Sequence, residues 1–316
     1  MAIAHLLDLT KHATNHGNFV NECICDRSSG RFFLSWMALG VPASLLVARL
    51  GQIPLVYPVA PQHKLPLLLP LYLLAPAAVE IHRRLGLGTG ADQTWSSYGI
   101  AWDWPFCQLM LAGFGVAAGG VVVLVAVQLG LGWRRWRPAP SPKGAPTSDS
   151  SSQANSAPSP SPGLLLAVLP LALFVGWIEE LVFRGVLVNG LGEALPLGLM
   201  AIAVSLIFAV SHLVWDGPAG APQLPGLALM GAVLLLGRWA AGGSLGLAWG
   251  LHAGWVYAIA AVDALALLKP GQAGPVWLVG LPDQPLTGVL PLGLLALTGV
   301  GVWLWGGGGV GEWMGG

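Results

Sequence analysis

Long apolar runs recur along the chain and are separated by short polar segments. A membrane-spanning helix needs about 20 mostly apolar residues, and eight segments approach that length. These segments are residues 32–50, 65–81, 105–129, 164–190, 196–213, 224–241, 244–262 and 287–305. The pattern predicts an all-α fold, a polytopic membrane helix bundle with about eight transmembrane helices.

The second segment departs from this pattern. Pro66, Pro70 and Pro76 lie inside it, and proline in a helix interior removes a backbone hydrogen bond and kinks or breaks the helix. We therefore expect residues 65–81 to form a broken or re-entrant segment rather than a regular span.

Polar segments divide the chain into regions. Residues 137–163 are rich in proline, serine and alanine and have almost no large apolar side chains, a composition typical of a disordered linker. The predicted regions are a polar N-terminal tail (1–31), an N-terminal transmembrane region (32–136), the linker (137–163), a helical core (164–306) and a C-terminal tail (307–316).

The composition is that of a membrane protein. Hydrophobic residues make up 55% of the 316 residues and charged residues only 9%, whereas an ordinary soluble domain has about 25% charged residues. The formal net charge is zero, which excludes the basic surface that nucleic-acid binding requires. We expect the lipid bilayer as the main partner, with a multi-pass location in the plasma membrane or an internal membrane such as the thylakoid.

The polar tail contains a weak candidate for a metal site. His12, His16, Cys23 and Cys25 could together chelate zinc, but the C-x-C spacing differs from the usual C-x₂-C or wider pairing. An ordinary polar tail is the simpler interpretation.

Five ionisable side chains lie inside apolar segments of the predicted core: Glu179, Glu180, Arg184, His212 and His252. Such residues are costly in lipid and are functional-site candidates by default. Glu180 and Arg184 are four residues apart, in the favourable order for an ion pair on one helical face, which leaves Glu179 to face another group. At 1.5 Å per residue, Glu179, His212 and His252 fall within a band of about 12 Å of membrane depth. We therefore expect these three side chains to meet.

Three motifs occur in order on successive apolar segments. "EELVFR" (179–184) fits E-E-x-x-x-R, "FAVSH" (208–212) fits F-x-x-x-H, and "SLGLAWGLHAGWVYA" (244–258) fits a third, histidine-bearing motif. Over residues 163–265 the chain resembles the CPBP family, which comprises the CAAX prenyl endopeptidases of the Ras-converting type and the bacterial CAAX amino-terminal, bacteriocin-processing proteases.

The resemblance implies an intramembrane glutamic endopeptidase that works without a metal, and we expect no cofactor. Glu179 resembles the base that activates water, assisted by His212, and His252 resembles the donor to the tetrahedral oxyanion. Glu180 and Arg184 resemble the pair that fixes the helix, and Phe208 is a supporting residue of the second motif. The implied substrates are membrane-associated peptides or proteins.

Val256 departs from the family pattern, which commonly has asparagine four residues after this histidine. Because valine cannot donate a hydrogen bond to an oxyanion, an alternative function is a catalytically weak or inactive membrane scaffold or immunity-type protein of the same fold. Two other interpretations are a zinc site built from Glu179, His212 and His252 and a proton-coupled transporter. The sequence has no H-E-x-x-H motif for the first and no inverted repeat for the second.

Overall fold

A computed structural model describes residues 27–87, 94–136, 162–264, 268–270, 274–281 and 284–307. Helices dominate these residues. The α-helices are α1 (Arg27–Leu50), α2 (Pro61–Arg84), α3 (Trp104–Gly130), α4 (Pro162–Glu179), α5 (Val188–Gly192), α6 (Leu197–Ser211), α7 (Leu213–Asp216), α8 (Leu224–Ala240), α9 (Gly246–Ala264), α10 (Val276–Val279) and α11 (Val289–Trp305).

Shorter elements connect the α-helices. A π-helix, Glu180–Leu187, joins α4 to α5. The 3₁₀-helices are Trp95–Tyr98, Pro218–Gln223 and Pro285–Thr287, and the strands are β1 (Arg134–Trp136) and β2 (Leu268–Pro270). The two strands pair antiparallel and follow α3 and α9.

The chain is an integral, multi-pass membrane protein. Within the described residues, six helical stretches are long and apolar enough to cross a bilayer: Gly30–Leu50, Pro61–Arg84, Trp104–Gly130, Gly163–Gly192, Leu197–Asp216 and Pro218–Ala240. Two shorter apolar helices are Gly246–Val262 and Val289–Trp305. The predicted membrane helix bundle is therefore confirmed, and a helix occupies each predicted segment. The count of eight spans is not confirmed, because two of these helices are shorter than a full crossing.

The prediction of a broken second span is wrong. α2 is one helix of 24 residues that contains Pro66, Pro70 and Pro76. The neighbouring helix α1 contributes two hydrogen-bond donors to its backbone: Trp36 Nε1 donates to the Leu71 carbonyl at 2.7 Å, and Ser44 Oγ donates to the Leu67 carbonyl at 2.8 Å. These bonds hold α2 against α1, and proline is tolerated within membrane helices that pack on such neighbours.

Glycines allow α9 to approach α3 closely. Gly246, Gly250 and Gly254 recur every four residues and lie against the α3 backbone. A Cβ atom at Gly246 would lie 2.7 Å from the Phe106 carbonyl oxygen, and one at Gly254 would lie 2.6 Å from the Phe114 carbonyl oxygen. Small residues at this spacing are typical of close helix pairs in lipid. This packing orients the His252 helix.

Three hydrophobic cores hold the described helices together, of which the third is small and lies among the π-helix, α5, α6 and α8. The first lies among α3, α6, α8, α9 and α11 and includes Phe208 and Leu251. The second lies among α1, α2, α3 and the α4 and π-helical stretch, and includes Phe32, Val79 and Ile178. Since the second core contains residues from both sides of the predicted linker, the N-terminal helices pack directly on the helix that carries Glu179.

Large apolar side chains cover much of the outer surface of the bundle. Leu34, Val122, Ile202 and Leu297 are more than half exposed, and they lie on four different helices. Extended exposed apolar surface of this kind marks contact with a membrane. The surface therefore agrees with the bilayer as the expected partner.

Several predicted features lie outside the described residues. These are the candidate metal ligands His12, His16, Cys23 and Cys25, residues 137–161 of the predicted linker, and residues 308–316 of the predicted C-terminal tail. The predicted region boundaries remain predictions. The first helix begins at Arg27, inside the predicted polar tail, and α4 begins at Pro162, inside the predicted linker.

Candidate active site

The two adjacent glutamates lie where the helix changes its geometry. Glu179 is the last residue of α4, and Glu180 is the first residue of the π-helix. In a π-helix each backbone hydrogen bond spans five residues instead of four. Such turns are rare in proteins as a whole, but those that occur are often at functional sites. The two carboxylates lie on either side of this change of helix type.

Glu180 forms the predicted ion pair with Arg184. Arg184 Nη1 lies 2.9 Å from Glu180 Oε1, and both side chains are fully buried. Arg184 also donates from Nη2 to the Gly231 carbonyl of α8 at 3.1 Å. Its guanidinium carbon lies 4.2 Å from the centroid of the Phe208 ring, a favourable cation–π geometry. The pair thus links the π-helix to α6 and α8.

His252 of α9 lies between the two carboxylates. Its Nδ1 is 2.8 Å from Glu180 Oε1, and its Nε2 is 3.5 Å from Glu179 Oε2. The imidazole is only 2% exposed. Because Glu180 Oε1 already accepts a hydrogen bond from Arg184, we assign a proton to Nδ1 of His252. In the neutral ring, Nε2 is then an acceptor that faces Glu179.

The two oxygens of Glu179 differ in their hydrogen bonding. The Tyr72 hydroxyl of α2 donates a hydrogen bond to Glu179 Oε1. Among the described residues, Glu179 Oε2 has no hydrogen-bond partner, although it faces His252. The Glu179 side chain is 14% exposed, whereas that of Glu180 is fully buried. Of the two carboxylates, Glu179 is therefore the less buried.

His212 lies beside this network rather than within it. It is partly buried at the junction of α6 and α7, and its Nδ1 donates to the Phe208 carbonyl at 2.8 Å. The Phe208 ring centroid is 4.9 Å from that of His212 and 5.9 Å from that of His252. Phe208 therefore contacts both histidines. In the described part of the chain, no hydrogen bond or ion pair joins His212 to Glu179.

The structure thus brings together part of the predicted set. Glu179, Glu180, Arg184 and His252 form one connected polar network, and His212 adjoins it through Phe208. No group of three or more His, Cys, Asp or Glu side chains in the described ranges is placed to hold a metal ion. The zinc interpretation therefore lacks a ligand set in these ranges.

Sequence reasoning missed Tyr72. It lies in the proline-containing segment that was expected to be broken, and it precedes the three motifs by about 100 residues. The signal that could have found it is a single hydroxyl within the apolar stretch "LPLLLPLYLLAP" at residues 65–76. A buried tyrosine hydroxyl usually has a hydrogen-bond partner.

Residues 161–258 match the family model "Rce1-like: Type II CAAX prenyl endopeptidase Rce1-like". The match covers about a third of the chain and confirms the predicted resemblance over that segment. It includes the six residues Glu179, Glu180, Arg184, Phe208, His212 and His252 and excludes Tyr72. No curated protein and no solved structure matches the chain. The match supports a CAAX-type protease, a hydrolase, as the general class.

Proposed function

From the match of residues 161–258 to the type II CAAX prenyl endopeptidase family, we propose that the chain is an intramembrane endopeptidase of the glutamic type. It hydrolyses a peptide bond of a membrane-associated peptide or protein. The observation that carries this proposal is the geometry of Glu179, whose Oε1 accepts from Tyr72 while its Oε2 faces the Nε2 atom of His252.

Glu179 is the proposed general base. It takes a proton from water as the water oxygen attacks the scissile carbonyl carbon, so that a tetrahedral oxyanion forms. Collapse of the intermediate breaks the C–N bond, and the proton passes to the leaving amine. A carboxylate and an amine are the products. The proposed reaction uses a carboxylate and no metal ion, and we expect cleavage to persist in EDTA.

The two histidines have distinct proposed roles. His252 Nε2 lies 3.5 Å from Glu179 Oε2, so we assign proton exchange with the base to His252 rather than to His212. Glu180 and Arg184 keep the His252 ring in place through the contact to Nδ1. His212, whose Nδ1 is bonded to the Phe208 carbonyl, has Nε2 available and is the proposed donor to the oxyanion when its ring is protonated.

The proposed first substrate class is a prenylated peptide with a C-terminal CAAX sequence, taken from the name of the matched family. A prenyl chain would partition into the bilayer, where the outer surface of the bundle is apolar. This concentrates the peptide in the same layer as the site.

Cleavage by the full-length protein in proteoliposomes tests the proposal. A fluorogenic farnesylated CAAX peptide is the probe, and the same peptide without the farnesyl group is the comparison. In H₂¹⁸O, mass spectrometry should find one ¹⁸O atom in the new carboxylate of the product. A farnesylated peptide that stays intact with correctly folded protein would contradict the substrate, and failure with membrane-protein substrates as well would contradict the activity.

Val256 favours a second candidate function, a catalytically weak scaffold or immunity-type protein. It lies one turn after His252 on α9 and offers only hydrocarbon where the family commonly has asparagine. Under this proposal, Glu179→Gln would retain partner binding and cellular phenotype in a correctly inserted protein. A phenotype lost in that variant would rule it out.

A further inference from the structure

We infer that Tyr72 is a positioning residue for Glu179, so that the N-terminal helices complete a site whose other residues lie in the matched segment. The inference rests on the proposed function, because it gives a role to a neighbour of the proposed base. Tyr72 lies on α2, far outside residues 161–258.

The hydrogen bond from Tyr72 fixes the orientation of the carboxyl group. The hydroxyl donates to Oε1, which turns Oε2 toward Nε2 of His252 at 3.5 Å. Hydrogen bonds to a carboxylate are about twice as strong as those between neutral groups. Without this donor, both oxygens of Glu179 would be free to rotate among several orientations, of which only some place an oxygen against His252.

Other contacts hold α2 in the position that this hydrogen bond requires. The Tyr72 ring packs beside Phe174 of α4, with 6.4 Å between the centroids. In the first turn of α2, Lys64 forms an ion pair with Asp216 of α7. Lys64 and Tyr72 are eight residues apart, which is about 12 Å along a helix. α2 therefore extends from the segment just after His212 to the carboxylate of Glu179 and forms a wall along the site.

A second tyrosine in the same region provides a matched comparison. Tyr57 precedes α2 and donates from its hydroxyl to the Leu213 carbonyl at 3.0 Å. Its hydroxyl does not contact either glutamate. Tyr57→Phe and Tyr72→Phe therefore remove the same atom and one hydrogen bond each, but only Tyr72→Phe releases the proposed base.

A role of Tyr72 in packing alone and a role in positioning Glu179 predict different kinetics. A tyrosine that serves only packing would lower thermal stability when changed to phenylalanine, but each folded molecule would still turn over at the normal rate. A positioning residue changes the rate of the chemical step without contacting substrate. We expect Tyr72→Phe to lower kcat about tenfold and to leave KM within about twofold.

Kinetics of the full-length protein in proteoliposomes, with the fluorogenic farnesylated CAAX peptide, test the inference. Wild type, Tyr72→Phe, Tyr57→Phe and Glu179→Gln are compared per folded molecule. The expected result is a tenfold loss of kcat in Tyr72→Phe and a normal kcat in Tyr57→Phe. If Tyr72→Phe has the wild-type kcat while Glu179→Gln abolishes cleavage, the inference is overturned and the proposed function stands. If Glu179→Gln cleaves normally, the proposed function itself fails, and the inference fails with it.

A double-mutant cycle on the melting temperature tests the contact without using activity. Tyr72→Phe, Glu179→Ala and the double variant are compared with wild type in detergent. Because residues in direct contact are not additive, the Tm shift of the double variant should be smaller than the sum of the single shifts. Additive shifts would show that the two side chains do not interact and would overturn the inference.

Discussion

His252 Nδ1 lies 2.8 Å from Glu180 Oε1, although 72 residues separate the two along the chain. This contact joins α9 to the start of the π-helix and makes the two neighbouring glutamates unequal. Glu180 is fully buried and its Oε1 contacts both Arg184 and His252, whereas the Glu179 side chain is 14% exposed. In the described residues, the Oε2 atom of each glutamate has no hydrogen-bond partner. The "EELVFR" motif thus contains a buried ion pair and a second, partly exposed carboxylate.

Loss of Arg184 should destabilise the protein strongly. Arg184→Met would leave the Glu180 carboxylate buried without its cation, and removing one partner of a buried ion pair costs about 3–5 kcal/mol. We expect a large fall in Tm, measured in detergent, or loss of folded protein on expression.

Arg84→Met is the control for this change. Arg84 pairs with Glu80 by the same i, i+4 spacing, but its side chain is 73% exposed, and exposed pairs contribute at most about 1 kcal/mol. Its Tm should stay near that of wild type. Equal Tm values for the Arg184 and Arg84 variants would contradict the assigned role of the buried pair.

A methyl group at Gly250 should separate α9 from α3. A Cβ atom there would overlap the Met110 carbonyl oxygen and approach the Phe114 backbone nitrogen at 2.8 Å. Overpacking of this kind typically costs about 1–3 kcal/mol. Gly250→Ala should therefore lower the Tm and, through displacement of His252, reduce cleavage.

Gly119→Ala, on the same pair of helices, should not lower the Tm and is the control for Gly250→Ala. Gly119 lies in α3 and has open space where a Cβ atom would be, and alanine is favoured over glycine in a helix by about 0.5–1 kcal/mol. Its Tm should be unchanged or slightly higher. A stable Gly250→Ala protein with normal cleavage would show that the close α3–α9 contact does not position the site.

Val256→Asn should increase the cleavage rate. Asparagine would place an amide donor one turn after His252, where the family commonly has one, and a single oxyanion donor contributes about 100- to 1000-fold in optimised sites. In a site that has not adapted to it, we expect a gain of about tenfold in kcat. The double variant Glu179→Gln/Val256→Asn should remain inactive. A rate unchanged by Val256→Asn would mean that the missing amide does not limit the reaction.

The local features of the site followed from sequence, and the long-range ones did not. Apolar run lengths predicted the helices, and the spacing of Glu180 and Arg184 predicted their ion pair, because both depend on residues close along the chain. Tyr72 was missed because nothing in a single sequence relates a hydroxyl in α2 to a carboxylate 107 residues later. Helix packing alone creates that contact.

Two other differences between the sequence-based predictions and the structure have physical causes. The estimate of membrane depth assumed the rise of an α-helix throughout, but the chain is π-helical from Glu180 to Leu187. No residue pattern in that motif indicates a π-helix. α2 is continuous through its three prolines, because proline is tolerated in membrane helices that pack on neighbours, and a proline count does not include that packing. The predicted meeting of His212 with Glu179 remains a prediction: in the described residues His212 contacts Phe208, and no hydrogen bond joins it to Glu179.

The cleavage rate of Glu179→Gln, measured with the farnesylated CAAX peptide in proteoliposomes, tests the central claim most directly. Glutamine has nearly the same shape as glutamate but cannot take a proton from water, and loss of a general base typically costs about 100- to 10,000-fold in rate. Glu193→Gln, an exposed change of the same chemistry after α5, is the control. The account predicts a loss of that size for Glu179→Gln and a normal rate for Glu193→Gln. A folded Glu179→Gln protein that cleaves at the wild-type rate would contradict it.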